Sequence, residues 1–220
     1  MNPSEFVDDL CAMAFEDTFN PYADRCPVYD SCNAPQTRAK MLLAILESAI
    51  KTEVDSIWIG RDLGYRGGRR TGLALTDDIH IETHTARWGI STERATNGQA
   101  IAERTAAVIW RTLSKIESPI FLWNVFPLHP HESDDPFSNR AHNSLERCAG
   151  EEVLVQLLRL LRPRRLIAIG NDAGRTAERI FSTKNVIRVR HPSYGGQTQF
   201  IQQIEDVYGL RASGRQAHLF

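Results

Sequence analysis

Short apolar runs alternate with longer amphipathic segments along most of the chain. The apolar runs are rich in residues that favour β-structure and end at a glycine or a polar residue, which predicts buried strands. The longer segments repeat apolar residues three and four positions apart, which is typical of helices. Strands are predicted at residues 56–60, 118–125, 165–170 and 186–190, and helices at 3–15, 37–52, 97–116, 145–161, 171–181 and 197–208.

This alternation predicts an α/β fold with three α-β-α layers around a central four-stranded parallel sheet. The 220 residues fit one domain, 1–220, in which 1–36 form an N-terminal arm with a short helix and 209–220 form a loose tail. Thr37 and Asn171 are expected to cap their helices. Ligands of such sheets bind outside the carboxyl ends of the strands, so the loops after the four strands are where a site is expected.

Composition limits how the protein could bind a charged partner. The chain is 42% hydrophobic and 24% charged, with a formal charge of −1, which is typical of a globular protein without a global basic field. Any nucleic acid would therefore be bound by a local basic patch. No apolar run reaches the length of a membrane span, and the N-terminus lacks a signal-peptide pattern. We expect a cytoplasmic protein and, because no dimer stripe is evident, a monomer.

The sequence gives little support for a metal site or a nucleotide-binding loop. No pair among the four cysteines has the C-x2-C spacing, so reduced thiols are favoured over an iron–sulfur cluster. The segment HIETH, with His80 and His84, places its glutamate wrongly for a zinc helix motif. There is also no phosphate-binding G-x-x-x-x-G-K-[ST] loop. We therefore expect no metal and no cofactor.

Three strand ends carry a polar side chain suited to chemistry. Asp62 follows the first predicted strand, Asn124 lies at the end of the second, and His191 follows the fourth. Each has a structural alternative, since such residues also form turns, satisfy loop backbone or stabilise the fold. Their joint position at one edge of a sheet favours a catalytic site.

The motifs around these residues resemble the uracil-DNA glycosylase superfamily. Residues 60–76, GRDLGYRGGRRTGLALT, align without a gap with the family motif GQDPYHGPGQAHGLAFS. The strand FLWN ends in Asn124, as the second family motif ends in Asn, and HPSYGG begins at His191 where the family has HPSPLS. The segment GYRGGRRTG also resembles a bacterial subgroup whose motif opens with GEAPGYRG. The chain is thus similar to a bacterial member that diverges from the GQDPYH type.

The resemblance implies a DNA-repair glycosylase that hydrolyses the N-glycosidic bond of uracil and leaves an abasic site, with neither a metal nor a lyase step. It implies that Asp62 positions the attacking water or stabilises the sugar cation, that Asn124 reads the uracil edge, and that His191 stabilises charge on O2. The chemistry agrees, because bond cleavage produces an oxocarbenium-like sugar and an anionic base, which suit a carboxylate and a hydrogen-bond donor.

The DNA partner is expected to contact two glycine-containing loops, whose arginines and backbone N–H groups suit phosphates. The target base must leave the stack, and the loop after His191 is the candidate to enter the duplex, with a plain turn as the alternative. The predicted DNA-binding residues are Arg61, Arg66, Arg69, Arg70, Ser193, Tyr194, Gly195, Gly196 and Gln197.

The predicted base pocket departs from the GQDPYH type. Gly64 aligns with the family tyrosine that excludes the thymine methyl group, Tyr65 starts one position later, and Leu75 aligns with the phenylalanine that stacks on uracil. Phe126 and Trp88 are the candidates to replace that aromatic face. These changes predict a roomier pocket that accepts uracil and other deaminated or modified bases. The predicted base contacts are Asn124, Leu75, Gly64, Tyr65 and Phe126.

Two other hypotheses remain open. The chain could be a non-catalytic DNA-damage-binding protein on the same fold, which predicts missing catalytic groups, whereas Asp62, Asn124 and His191 are all present. It could also hydrolyse free nucleosides or nucleotides, which predicts activity on deoxyuridine. Alkali-induced scission of a treated uracil oligonucleotide separates the enzyme from the binding protein.

Overall fold

The computed structural model describes residues 1–210; of the predicted tail, residues 211–220 lie outside this range. The chain order is two helices, α1 and α2, interrupted by a short strand, and then strands and helices in alternation. The helices are α1 Pro3–Ala12, α2 Ala34–Ala49, α3 Gly68–Thr71, α4 Ile81–Ala86, α5 Arg104–Leu113, α6 Ser144–Leu161, α7 Asn171–Ile180 and α8 Gln197–Val207. The strands are β1 Thr18–Phe19, β2 Ser56–Asp62, β3 Ile120–Phe126, β4 His129–Pro130, β5 Arg165–Ile169 and β6 Val186–Val189.

The central sheet has four parallel strands in the order β3-β2-β5-β6, which confirms the predicted fold class. β2 lies inside the sheet and pairs with β3 on one side and β5 on the other. Gly60 stands opposite Asn124, and Asp62 opposite Phe126. The carboxyl ends of β2 and β3 therefore meet at one edge.

Helices cover both faces of the sheet. Apolar side chains of α1, α2, α6 and α7 share one cluster with alternate residues of the strands, including Ile57 and Trp123. α5 and α8 pack on the opposite face around Trp58 and Ile167. Because strand side chains point alternately to the two faces, both faces of β2 need apolar residues, and Ile57, Trp58 and Ile59 are fully buried.

Several boundaries differ from the prediction. α2 begins at Ala34 rather than Thr37, because Pro35 fits the first helical turn, where an N–H has no intrahelical partner. α5 begins at Arg104 rather than residue 97, since Gly98 adopts a left-handed backbone (φ 75°). α7 begins at Asn171, with Gly170 as its cap. The sequence pattern does not indicate the short helices α3 and α4 or the antiparallel pair β1–β4.

The pair β1–β4 attaches the N-terminal arm to the loop after β3: Thr18 pairs with Pro130 and Phe19 with His129. None of the helices in residues 1–210 is long and apolar enough to cross a membrane.

Candidate active site

The ends of β2 and β3 bring Gly60 and Asn124 into contact. A Cβ atom added to Gly60 would lie 2.6 Å from Asn124 Oδ1 and 3.1 Å from Leu75 Cδ2, so only glycine fits at this position. Asn124 is 1% exposed, and its Oδ1 has no hydrogen-bond partner in the structure. A buried amide oxygen without a donor is costly, so this atom is suited to accept a hydrogen bond from a ligand.

Leu75 completes this corner in an unusual backbone conformation. Its φ is 55°, in the left-handed region that a leucine rarely adopts. The indole Nε1 of Trp110 on α5 donates to the Leu75 carbonyl at 3.1 Å, which helps to hold the turn. Backbone strain of this kind is concentrated at functional sites. The predicted apolar contact of Leu75 thus lies beside Asn124.

Asp62, the last residue of β2, has a nearly buried carboxylate with 6% of its side chain exposed. Arg61 Nε donates to Oδ2 at 2.6 Å. His142 Nδ1 donates to Oδ1 from the residue that precedes the N-cap of α6. Arg61 also lies 3.5 Å from Asp172 at the start of α7. Both oxygens of Asp62 are therefore held by side chains from different parts of the chain.

His191 lies in the loop after β6 and has a defined protonation pattern. The backbone N–H of Ser193 donates to its Nδ1 at 3.2 Å, and Ser193 Oγ lies 2.7 Å from the same atom. Nδ1 is therefore an acceptor, and Nε2 carries the proton of the neutral ring. Burial, with the nearby Arg61 and Arg190, lowers the pKa of His191. The ring is consequently a neutral Nε2–H donor at neutral pH.

Arg61 and Gly170 connect the surroundings of Asp62 and His191. Arg61 bonds Asp62 and is close enough to influence the pKa of His191. Gly170, at the end of β5, lies under His191, since an added Cβ would be 3.4 Å from the His191 Cβ. Asp62, Asn124 and His191 thus lie at one edge of the sheet.

The loop after His191 presents an aromatic ring to solvent. Tyr194 is 97% exposed and has a φ of 51°, and Gly195 follows with a φ of 76°. Gly196 packs under the loop, where an added Cβ would lie 2.1 Å from the His191 carbonyl oxygen. Gln197 begins α8 and is exposed. The loop therefore projects into solvent beside His191.

A pocket opens next to Gly64. A cavity of ≈ 360 Å³ is lined by Gly64, Tyr65, Arg66, Ala102, Glu103, Arg104, Thr105 and Asn139. Asn139 Oδ1 accepts the backbone N–H of Tyr65 at 3.0 Å. Burial and the nearby Asp77 raise the pKa of Glu103 to about 7, so this carboxyl is partly protonated at neutral pH. Gly64 and Tyr65 thus border space rather than closing it.

The predicted arginines divide into two pairs. The Arg61 side chain is 42% exposed and Arg66 is exposed, with its Nε 2.7 Å from the Tyr65 hydroxyl. Arg69 and Arg70 are only 3% and 6% exposed. Arg70 pairs with Asp78 at 2.7 Å, and Arg69 lies over the rings of Phe19, Tyr29 and Phe137. Their burial corrects the expectation that they contact phosphates.

The two aromatic candidates for base stacking are both buried. Phe126 is fully buried, with its ring edge-on to Phe15 at 5.5 Å and 6.2 Å from the His142 ring. Trp88 lines a different cavity with Pro119 and Ile120, at the amino end of β3 and so at the opposite edge of the sheet. The structure therefore does not bring Trp88 to the site.

Sequence reasoning missed His142 and Glu103. His142 lies 80 positions beyond Asp62, and no local motif links the two residues. Glu103 lies within a segment predicted to be helical, and that pattern gives no reason to place it beside Gly64. Within residues 1–210, no group of three or more His, Cys, Asp or Glu side chains is arranged to hold a metal ion.

The fold resembles that of a known DNA glycosylase. The crystal structure of wild-type SMUG2 from Pedobacter heparinus superposes with a TM-score of 0.62 and 14% sequence identity, over 96% of this chain and 98% of that chain. Residues 53–205 match the family model of the uracil DNA glycosylase superfamily. The chain belongs to this superfamily, and the protein is a DNA glycosylase, a hydrolase of DNA repair. No curated protein matches the sequence.

Proposed function

We propose that the protein is a monofunctional glycosylase that hydrolyses the N-glycosidic bond of uracil in DNA, and that its pocket also accepts other deaminated bases. The observation that supports the proposal is the common position of Asp62, Asn124 and His191 at the carboxyl ends of the parallel strands, with Gly60 against Asn124 and Arg61 bonded to Asp62.

Asn124 supports recognition of uracil. Its amide provides one acceptor and a pair of donors, which match N3–H and O4 of uracil, whereas cytosine has an exocyclic amine in place of O4. Oδ1 is buried without a partner, so it would gain its hydrogen bond from N3–H of the base. An Asn124→Asp variant would remove the donor and weaken recognition of O4.

His191 and Asp62 supply the two charges that the reaction requires. As the glycosidic bond breaks, electrons move to the uracil ring, and the Nε2–H of neutral His191 donates to O2. Positive charge then develops on the sugar, where the Asp62 carboxylate stabilises it and orients the water that attacks C1′. The water oxygen bonds to C1′ as its proton passes to Asp62, and the products are an abasic site and the uracil anion, which takes up a proton from solvent.

The cavity beside Gly64 supports a wider base range. Gly64 has no side chain where the GQDPYH-type members have a tyrosine, and the ≈ 360 Å³ of space lies next to it. Leu75 offers an apolar contact without an aromatic face, so stacking selects less strongly among bases. The exposed Tyr194 is placed to fill the gap that a flipped base leaves in the duplex.

The test is a panel of matched oligonucleotides that carry uracil, hypoxanthine, xanthine or thymine, in single and double strands. Each is incubated with the protein and treated with hot alkali, which cuts at abasic sites. We expect release of uracil and of at least one deaminated purine. Release of uracil alone would contradict the wider pocket, and scission without alkali would contradict the monofunctional reaction. Free deoxyuridine serves as the control for nucleoside hydrolysis and should remain intact.

A further inference from the structure

We propose that His142 is a positioning residue of the glycosylase reaction, which holds one oxygen of Asp62 so that the carboxylate keeps a single orientation toward the sugar. This inference rests on the proposed catalytic function of Asp62. It concerns a residue outside the three motifs, which the strand ends alone did not indicate.

The hydrogen bond between the two residues is protected from water. His142 Nδ1–H donates to Asp62 Oδ1, and the two side chains are 9% and 6% exposed. A carboxylate at a strand end can rotate about its side-chain torsions, and a charge-assisted bond from a buried donor removes that freedom. Since the nucleophilic water must be oriented closely, a displacement of about 1 Å in such a group can lower the rate about 100-fold.

The backbone that carries His142 is itself anchored. Asn143, the next residue, caps α6 by accepting the backbone N–H groups of Leu145 and Glu146 at 2.9 and 3.0 Å. The Glu146 carboxylate returns to the Asn143 N–H at 2.7 Å, which completes a capping box. On the other side, Arg140 pairs with Glu146 at 2.6 Å. The imidazole is therefore presented from a rigid support rather than from a free loop.

Arg61, the second partner of Asp62, is held less firmly than His142. Arg61 is 42% exposed and is shared between Asp62 and Asp172. A DNA phosphate offers such a guanidinium a stronger bidentate acceptor, so Arg61 can exchange partners when DNA binds. His142 is buried and cannot reach a phosphate in the same way. It is therefore the partner that remains with Asp62 throughout the reaction.

The experiment compares three variants with the wild type on a uracil-containing duplex. His142→Ala removes the donor, His142→Asn restores an N–H donor near the position of Nδ1, and His80→Ala is the matched control. His80 donates from the same ring atom to an aspartate, Asp77, at 2.6 Å, and neither residue is assigned a part in the reaction. The readouts are the single-turnover rate at saturating enzyme, the Kd for an uncleavable duplex, and the midpoint of urea unfolding.

We expect His142→Ala to lower the single-turnover rate on the order of 10- to 100-fold with Kd changed less than about threefold. His142→Asn should recover most of the rate, and His80→Ala should leave it unchanged. Wild-type rates in His142→Ala, or a loss confined to Kd, would overturn the inference while the proposed function stands. If the wild type releases no base, the proposed function fails, and a crystal structure of His142→Ala still decides the positioning role: an unmoved Asp62 carboxylate overturns it.

Discussion

Two histidine–aspartate hydrogen bonds in this molecule join the same atoms but differ in what else the aspartate contacts. In both, a histidine Nδ1 lies within hydrogen-bond distance of an aspartate Oδ1. Asp77 also accepts three backbone N–H groups, from Ile79 at 3.1 Å, His80 at 2.9 Å and Glu103 at 2.6 Å. Among residues 1–210, Asp62 accepts only from the side chains of Arg61 and His142.

The difference separates a carboxylate that builds the fold from one that is available to a ligand. Backbone donors bind Asp77 to the starts of α4 and α5, so its oxygens are committed to holding two helices in place. Asp62 is oriented by side-chain donors only, so its bonds do not fix the backbone of a helix. One of those donors, Arg61, can exchange Asp62 for another partner. The two carboxylates should therefore respond to substitution in different ways.

The largest expected effect is on catalysis at Asp62. Asp62→Asn keeps the size of the side chain but removes the charge that we propose stabilises the sugar cation, so the single-turnover rate should fall about 10²- to 10⁴-fold. The unfolding midpoint should remain close to that of the wild type. A variant that retains more than a tenth of the rate would show that Asp62 is not the catalytic carboxylate.

His191→Ala should follow with a loss of about 10²- to 10³-fold, the usual effect of removing one donor to a developing oxyanion. Because its pKa is lowered from the ordinary value, His191 is already neutral at pH 7, and raising the pH to 9 should not remove its contribution. Rates of the wild type and the variant measured from pH 7 to 9 test this. A gap between them that closes as the pH rises would indicate a protonated histidine instead.

Substitution of Asp77 should lower the free energy of unfolding rather than the catalytic rate. Asp77→Ala removes the side-chain acceptor of three backbone N–H groups and the partner of the His80 ring, so the free energy of unfolding should fall by about 2–4 kcal/mol. Urea unfolding measures the loss, and active-site titration corrects the rate for the folded fraction. A corrected rate that falls as far as in Asp62→Asn would erase the distinction between the two pairs.

The smallest expected effect is a dependence of stability on pH at Glu103, the neighbour of Asp77. Burial raises the pKa of this carboxyl from its ordinary value of 4.5 to about 7, so the folded state holds a proton that the unfolded state releases. The free energy of unfolding is therefore highest below about pH 4.5 and falls as the pH rises through about 7. At higher pH both states have lost the proton, and this group no longer changes the free energy of unfolding. Glu103→Gln should be about 1–3 kcal/mol more stable than the wild type at pH 8, with no difference at pH 4. Urea unfolding at pH 4 and pH 8 measures the difference in free energy of unfolding between Glu103→Gln and the wild type. An equal difference at the two pH values would contradict the raised pKa.

The strands and the three polar ends could be predicted because their signals are local. Strand residues such as Ile57 and Ile59 lie in short apolar runs that end at a glycine or a polar group, and parallel strands bring those ends to one edge. The observed starts of α2 and α5 differ from the prediction because a proline and a glycine shift the first turn of each helix.

The rest depends on contacts between distant segments. The partner of Asp62 comes from the loop that leads into α6, and its arrival is set by the β1–β4 pair and the capping box rather than by a motif. The burial of Arg69 depends on three rings that the N-terminal arm and the loop before α6 deliver. In the sequence, Arg69 and Arg66 look alike, and only the fold separates a core guanidinium from a surface one.

Tyr194 has a consequence for how this enzyme can change. With 97% of its surface in solvent, the side chain contributes almost nothing to packing, and its loss would leave the core untouched. Substitutions that accept the left-handed backbone at this position are therefore tolerated by the scaffold. Variation at this tip, whether natural or engineered, can alter the exposed surface beside His191 while the core stays as it is.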